Sequence, residues 1–230
     1  MTDPTENILP NFGTRIKARL ISLLGGSGRY EHWVLMVLAL VVGTISGYGA
    51  IGFYLLLGII QKFLFGTNDV DLSSAMISIA WWKIILIPVI GGLIVGQLLR
   101  FMPEGRSHSV QHVIESAALH DGKINIKHGA LSALIASLSL SFGASMGREG
   151  PVVHLGATLA SAITQKLKLT PAVARTLLGC GVAAAVSASF NAPIAGVFFA
   201  HEVIIGHYAL HTFTPVVIAA IAGTLISRAY

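Results

Sequence analysis

The sequence predicts an all-α, polytopic membrane protein, and three observations carry that prediction. Of its 230 residues, 54% are hydrophobic and 11% are charged, where soluble domains average roughly 25% charged. Mean hydropathy is +0.76. The apolar residues are gathered into successive runs, the first two long enough to cross a bilayer at ~20 residues. Most of the basic residues behind the formal charge of +5 lie outside those runs, where positive-inside topology places them, so no nucleic-acid partner is expected. The single cysteine, Cys180, excludes an internal disulfide and any multi-cysteine metal site. Within "LLGCGVAAAV" it reads as a small packed hydrophobe.

Residues 1–32 carry Arg15, Lys17, Arg19 and Arg29 without a short apolar core or small-residue cleavage site. No cleavable signal is expected there. The segment is assigned to the cytoplasm, ahead of a membrane domain over 33–230. The first apolar run, 33–65, far exceeds the ~20 residues needed to cross, so its helix must tilt strongly or protrude. An acidic turn, "GTNDVDLSS", leads to a second span over 80–101 with interfacial tryptophans at its start. The connector 102–128 is polar and carries Arg106, Lys123 and Lys127. Basic flanks around an acidic turn place both flanks, and the N-terminus, in the cytoplasm.

The second half is cut more finely. Apolar stretches at about 129–146, 151–165, 172–187, 193–207 and 212–228 are separated by a few residues each. At 1.5 Å per residue, ~15–16 residues reach about 24 Å, short of the ~30 Å hydrocarbon core. Several helices are therefore expected to end inside the membrane, where broken ends must be buried in protein or face water. Short, Gly/Pro-interrupted segments of this kind point to a transporter's binding site. The 25 glycines and the small residues of "GVAAAVSASFNAPIAG" suit close helix contact in lipid.

Between two such runs stands Gly147-Arg148-Glu149-Gly150-Pro151. One ionisable group at the bilayer centre costs at least ~2.5–3.5 kcal/mol on insertion scales, so an adjacent pair asks for a function. Pro151 suits a first helical turn, which predicts a helix over 151 to about 165. Its free N–H groups and positive dipole end make an anion site. Glu149, just outside that cap, can occupy the site as the chain's own anion and open it when protonated or displaced. Arg148 would offset negative charge nearby or reach an aqueous vestibule. The alternative is a structural Arg–Glu pair closing a helix end.

A second break, Phe190-Asn191-Ala192-Pro193, offers another helix start with Asn191 as cap; a loop between packed helices is the alternative. Two such breaks suggest converging N-termini. The stretch "HEVIIGH" is tested against the H-E-x-x-H zinc helix and fails, because His201 and His207 stand six residues apart. Six residues turn a helix by ~600°, leaving the rings about 120° apart. No metal is expected. Glu202 is read as a structural cap partner or a water-access residue.

These residues resemble the CLC chloride channels and proton-coupled anion exchangers. "GREGPVVHLGA" (147–157) looks like the family's hallmark at the start of its anion-contacting helix. "LLGCGVAAAVSASFNAPIAGVFFAHEV" (177–203) is similar to its next two helices, and "IPVIGGLIVGQLLRF" (87–101) to the segment before its first anion loop. The likeness runs from about residue 35 onward. It implies two inverted halves per subunit, with a pore in each subunit of a homodimer. It also implies that Glu149 is the gating glutamate and that Gly147, Arg148, Gly150 and Pro151 lie near the anion sites.

Three features differ from the family pattern. The family's first loop reads G-S-G-I-P or G-H-G-V-P, whereas this chain has Ser107-His108-Ser109-Val110-Gln111. His108 takes the position of the anion-coordinating hydroxyl, between two serines, and the loop's glycines and proline are missing. In proton-exchanging members a carboxylate follows the position of Glu202; here Val203 stands there, as in passive channels. The family's second half supplies a G-x-F-x-P loop and a tyrosine, and these 230 residues look like the first half.

The expected function is anion transport, chloride being the substrate, gated by voltage or pH through Glu149. The chain is read as channel-like rather than proton-coupled, with no cofactor and no enzymatic activity. A multi-pass protein of a bacterial inner membrane, in contact with lipid, is the expected setting. The alternative is a half-pore that conducts nothing alone, either a fragment or a subunit needing a second half.

Overall fold

The computed structural model describes residues 29–66, 80–103, 105–206 and 209–230. Most of the basic N-terminal segment, the acidic turn after Gly66, and His207 lie outside the described residues. The described residues form eight α-helices and no strand, and four helices are long and apolar enough to cross a membrane.

Helix α1, Arg29–Phe65, takes up the whole first apolar run in 37 residues. At 1.5 Å per residue it is about 55 Å long, so it crosses a ~30 Å core only by tilting or protruding. Helix α2, Trp81–Leu99, follows the second run. It buries only Gly91, whose missing side chain leaves room for Phe142. The polar connector is not simply a linker: it folds helix α3, Val110–Leu119, which buries Val113, Ser116 and Ala117. Positions 113, 116 and 117 recur at helical spacing, so polarity elsewhere in the segment masks one packed face.

The remaining helices are α4, Ile126–Ser141; α5, Glu149–Leu167; α6, Pro171–Phe190; α7, Pro193–Phe199; and α8, Leu210–Ala229. Helix α7 passes into a π-helical turn, Ala200–Ile205. The expected shortness holds for α4, with 16 residues, and for α7. It fails for α6 and α8, with 20 residues each, and α5 has 19. Apolar composition misplaced those ends because backbone caps set them. Helix α5 runs on through Lys166 to a left-handed Lys168 at φ 55°, and α6 starts on Pro171 after an extended Thr170. Lysine in a last turn is favourable against the helix dipole, so it prolongs the helix rather than ending it.

Helix α6 is the axis of the bundle. It is buried at nearly every position from Val173 to Ala188, among α1, α5 and α8. Small residues make this possible. A methyl on Gly156 of α5 would come within 2.5 Å of the Gly181 carbonyl oxygen, and one on Gly223 of α8 within 2.5 Å of the Ala184 carbonyl oxygen. Backbones in such contact gain dispersion energy that lipid, as apolar as leucine, would not otherwise drive. Cys180 is fully buried in this seam, a packing residue as expected.

Candidate functional site

Helix α5 begins at Glu149, two residues earlier than Pro151, and Arg148 is its N-cap. Glu149 therefore lies inside the first turn and not outside the cap. Proline is tolerated anywhere in that turn because its N–H would have no intrahelical partner, so Pro151 marks the start without fixing its first residue. Arg148 makes no side-chain cap bond. Pro151 is buried, Gly150 half-buried, and Gly147, Arg148 and Glu149 are exposed at the helix end.

The loop Ser107–Ser109 reaches this end through its own tether. The His108 N–H donates to Ser132 Oγ of α4 at 2.7 Å, and Ser132 Oγ donates back to the His108 carbonyl at 3.1 Å. Ser109 is the N-cap of α3 and makes no side-chain cap bond. A methyl on Gly150 would lie 3.7 Å from the Ser109 side chain. The starts of α3 and α5 thus come together where Ser109 meets Gly150. Each start carries N–H groups with no intrahelical acceptor, and two positive dipole ends meet at one place.

The second break behaves differently from its expected role. Asn191 ends α6, at φ 53° and ψ 35°, and does not cap α7, whose N-cap is Ala192. Asparagine tolerates the left-handed conformation because its short polar side chain bonds locally, and here Asn191 Oδ1 accepts from Arg228 Nε at 2.7 Å. The start of α7 still lies at the same end of the bundle. Val152 of α5 clusters with Ala185 and Ala188 of α6, and Gly196 of α7 packs on Ala183 and Ser187.

Glu202 and Val203 are not brought to this site. Both lie in the π-helical turn, Glu202 exposed and Val203 half-buried. Val203 lines a cavity of about 740 Å³ with Ile114, Arg175 and His211, at the end of the bundle where α6 starts. His201 is fully buried against Phe213. The stretch Ala200–Ile205 that carries His201 is π-helical rather than α-helical, and His207 lies outside the described residues. Sequence reasoning missed His112 and His154, which the fold sets beside His108. His108 and His112 stand four apart in sequence, but His154 comes from another helix and no local pattern announces it.

The family model for "Voltage gated chloride channel" matches residues 91–230. The voltage-gated ClC-type chloride channel ClcB of Yersinia pseudotuberculosis is 30% identical over 197 residues, covering 84% of this chain and 47% of that protein. Two solved structures share the fold. A CLC-type fluoride/proton antiporter superposes with a TM-score of 0.69 at 26% identity, over 88% of this chain and 48% of its own. A slow cyanobacterial Cl−/H+ antiporter gives 0.68 at 21% identity, over 85% and 46%. The chain spans about half the length of the curated relatives it matches.

Proposed function

The chain belongs to the voltage-gated chloride channel family, and on that premise we propose that it forms one half of an anion pathway gated by Glu149. The observation that carries this reading is the meeting of two helix starts, with Gly150 of α5 against Ser109 of α3. Backbone amides there suit a chloride-sized anion, which needs donors but no fixed charge. Glu149, in the first turn of α5, competes for the same amides. A carboxylate at a helix N-terminus gains ~0.3–1 kcal/mol when exposed and up to ~2 kcal/mol when partly buried. Glu149 is exposed, so the plugged state is favoured by only about two- to fivefold, small enough for an anion, a proton or a membrane voltage to reverse.

Ser107, His108 and Ser109 serve as the second set of anion donors, and Arg148 supplies positive potential. Val203 stands where proton-exchanging members of the family carry a carboxylate, so conduction is channel-like. Both solved relatives carry antiporter in their names, which makes coupling the point to test. Chloride flux from liposomes should proceed without stoichiometric proton counterflow, and coupled proton uptake would overturn the channel-like reading. Replacing Glu149 by Gln or Ala should raise the flux or remove its pH dependence. Unchanged gating in a conducting protein would overturn the gate.

A second reading is favoured by the exposure of residues 143–149 and by the coverage of about half the relatives' length. In it the chain needs a second half, from another copy or another chain, to close the pore. Purified chain that conducts nothing alone, but conducts with an added second-half chain, would support it. A homodimer in a bacterial inner membrane, N-terminus inside, completes the proposal.

A further inference from the structure

Beside the facing helix starts, three histidines from two separate segments converge. His108 precedes α3, His112 lies in its first turn, and His154 lies on α5. His154 Nε2 and His112 Nδ1 are 3.2 Å apart. The rings of His108 and His112 stack at 3.9 Å, 3° from parallel, and each lies 5.3–5.4 Å from the His154 ring. One ring nitrogen from each histidine comes within 4.8 Å of the other two. His154 is 1% exposed, His108 8%. A small cavity of about 60 Å³ opens beside them, lined by Arg106, Gln111, Glu115, His108 and His112.

We propose that His108, His112 and His154 bind a divalent transition cation of the zinc class, which staples the α3 loop to helix α5 beside Glu149. Imidazole suits zinc, copper and nickel better than calcium or magnesium. With metal–nitrogen bonds of about 2.05 Å, tetrahedral ligands sit roughly 3.3 Å apart, close to the observed His112–His154 separation. On binding, the donor ring of this pair passes to its other tautomer, its hydrogen moving to the far ring nitrogen, so that both facing nitrogens offer lone pairs to the cation. The stacked His108 and His112 rings turn about χ2, a soft torsion for histidine, so that their lone pairs converge. Three histidines leave a fourth position for water or an anion. Glu115 in the adjoining cavity offsets part of the ion's charge, and Arg106 opposes it. This site departs from the sequence expectation of no metal, and it does not depend on the chain conducting anions.

The test is a titration of the purified chain, free of any histidine tag, with Co²⁺ alone and then with Zn²⁺. One Co²⁺ per chain should bind, with the strong visible absorption of a four-coordinate site, and Zn²⁺ should displace it. Loss of an outer-shell partner lowers metal affinity roughly 10–100-fold, and loss of a ligand should cost at least as much. His112→Gln and His154→Gln should therefore each weaken binding at least about tenfold. His120→Gln, at an exposed residue 3.9 Å from Glu115, should leave it unchanged. Since His154 is buried, His112→Gln is the decisive variant if the other fails to fold. Absence of the Co²⁺ spectrum, or binding that survives His112→Gln, would overturn the site.

Discussion

Asn191 shows how much one backbone conformation decides. At φ 53° it holds a left-handed turn that costs most L-residues ~1–2 kcal/mol, and its side chain anchors Arg228. Asn191→Val should lower the thermal midpoint in detergent by more than Asn191→Gly, which keeps the turn and loses only the Arg228 bond. Equal effects of the two would show that the bond, not the turn, matters. The ion pair between Arg175 and Asp121, 3.0 Å long with both side chains about half exposed, makes the opposite case. Exposed pairs contribute ~0–1 kcal/mol, so Asp121→Asn should leave the midpoint nearly unchanged. Glu149 was legible as a single residue because a carboxylate in so apolar a setting asks for a role. Its place inside the first turn was not, since proline permits several starts.

Helix ends rather than helix existence separate expectation from structure. The runs at 33–65 and 80–101 became α1 and α2 nearly as drawn, because long continuous apolarity leaves one solution in lipid. In the second half the ends are fixed by Lys168, Thr170 and Asn191, whose dihedrals hydropathy does not encode. Helix α3 was invisible because only Val113, Ser116 and Ala117 are fully buried. Helix contacts make a sharper prediction. A methyl on Gly181 would sit 2.5 Å from the Gly156 carbonyl oxygen and 2.7 Å from the Ala160 side chain. Gly181→Ala should cost ~1–3 kcal/mol through overpacking, read as a fall in the thermal midpoint. Gly58→Ala, in α1 where a methyl meets nothing within 4 Å, should be neutral or stabilising, given alanine's ~1 kcal/mol advantage in helices.

At the scale of the molecule the bundle has two ends of different make-up. One brings the start of α3 against the start of α5, with the end of α6 nearby. The other gathers the start of α6, the π-helical turn with Val203, and the 740 Å³ cavity. The buried Cys180 leaves the chain nearly blank to thiol reagents, so topology can be read directly. A Thr14→Cys variant should resist a membrane-impermeant maleimide in intact cells and react after lysis. Labelling in intact cells would reverse the orientation drawn from the basic flanks.

By itself the sequence determined the membrane class, the two long spans and the GREGP segment, because each depends on local composition or on adjacent residues. The tertiary structure decided what those parts face. It set the α3 loop against Gly150, sent Glu202 and Val203 to the opposite end, and joined His154 to His108 and His112. The physical reason is that glycines and alanines along α6 let backbones touch without specifying a partner, so which helix packs on which follows from the whole bundle and not from any one stretch of chain.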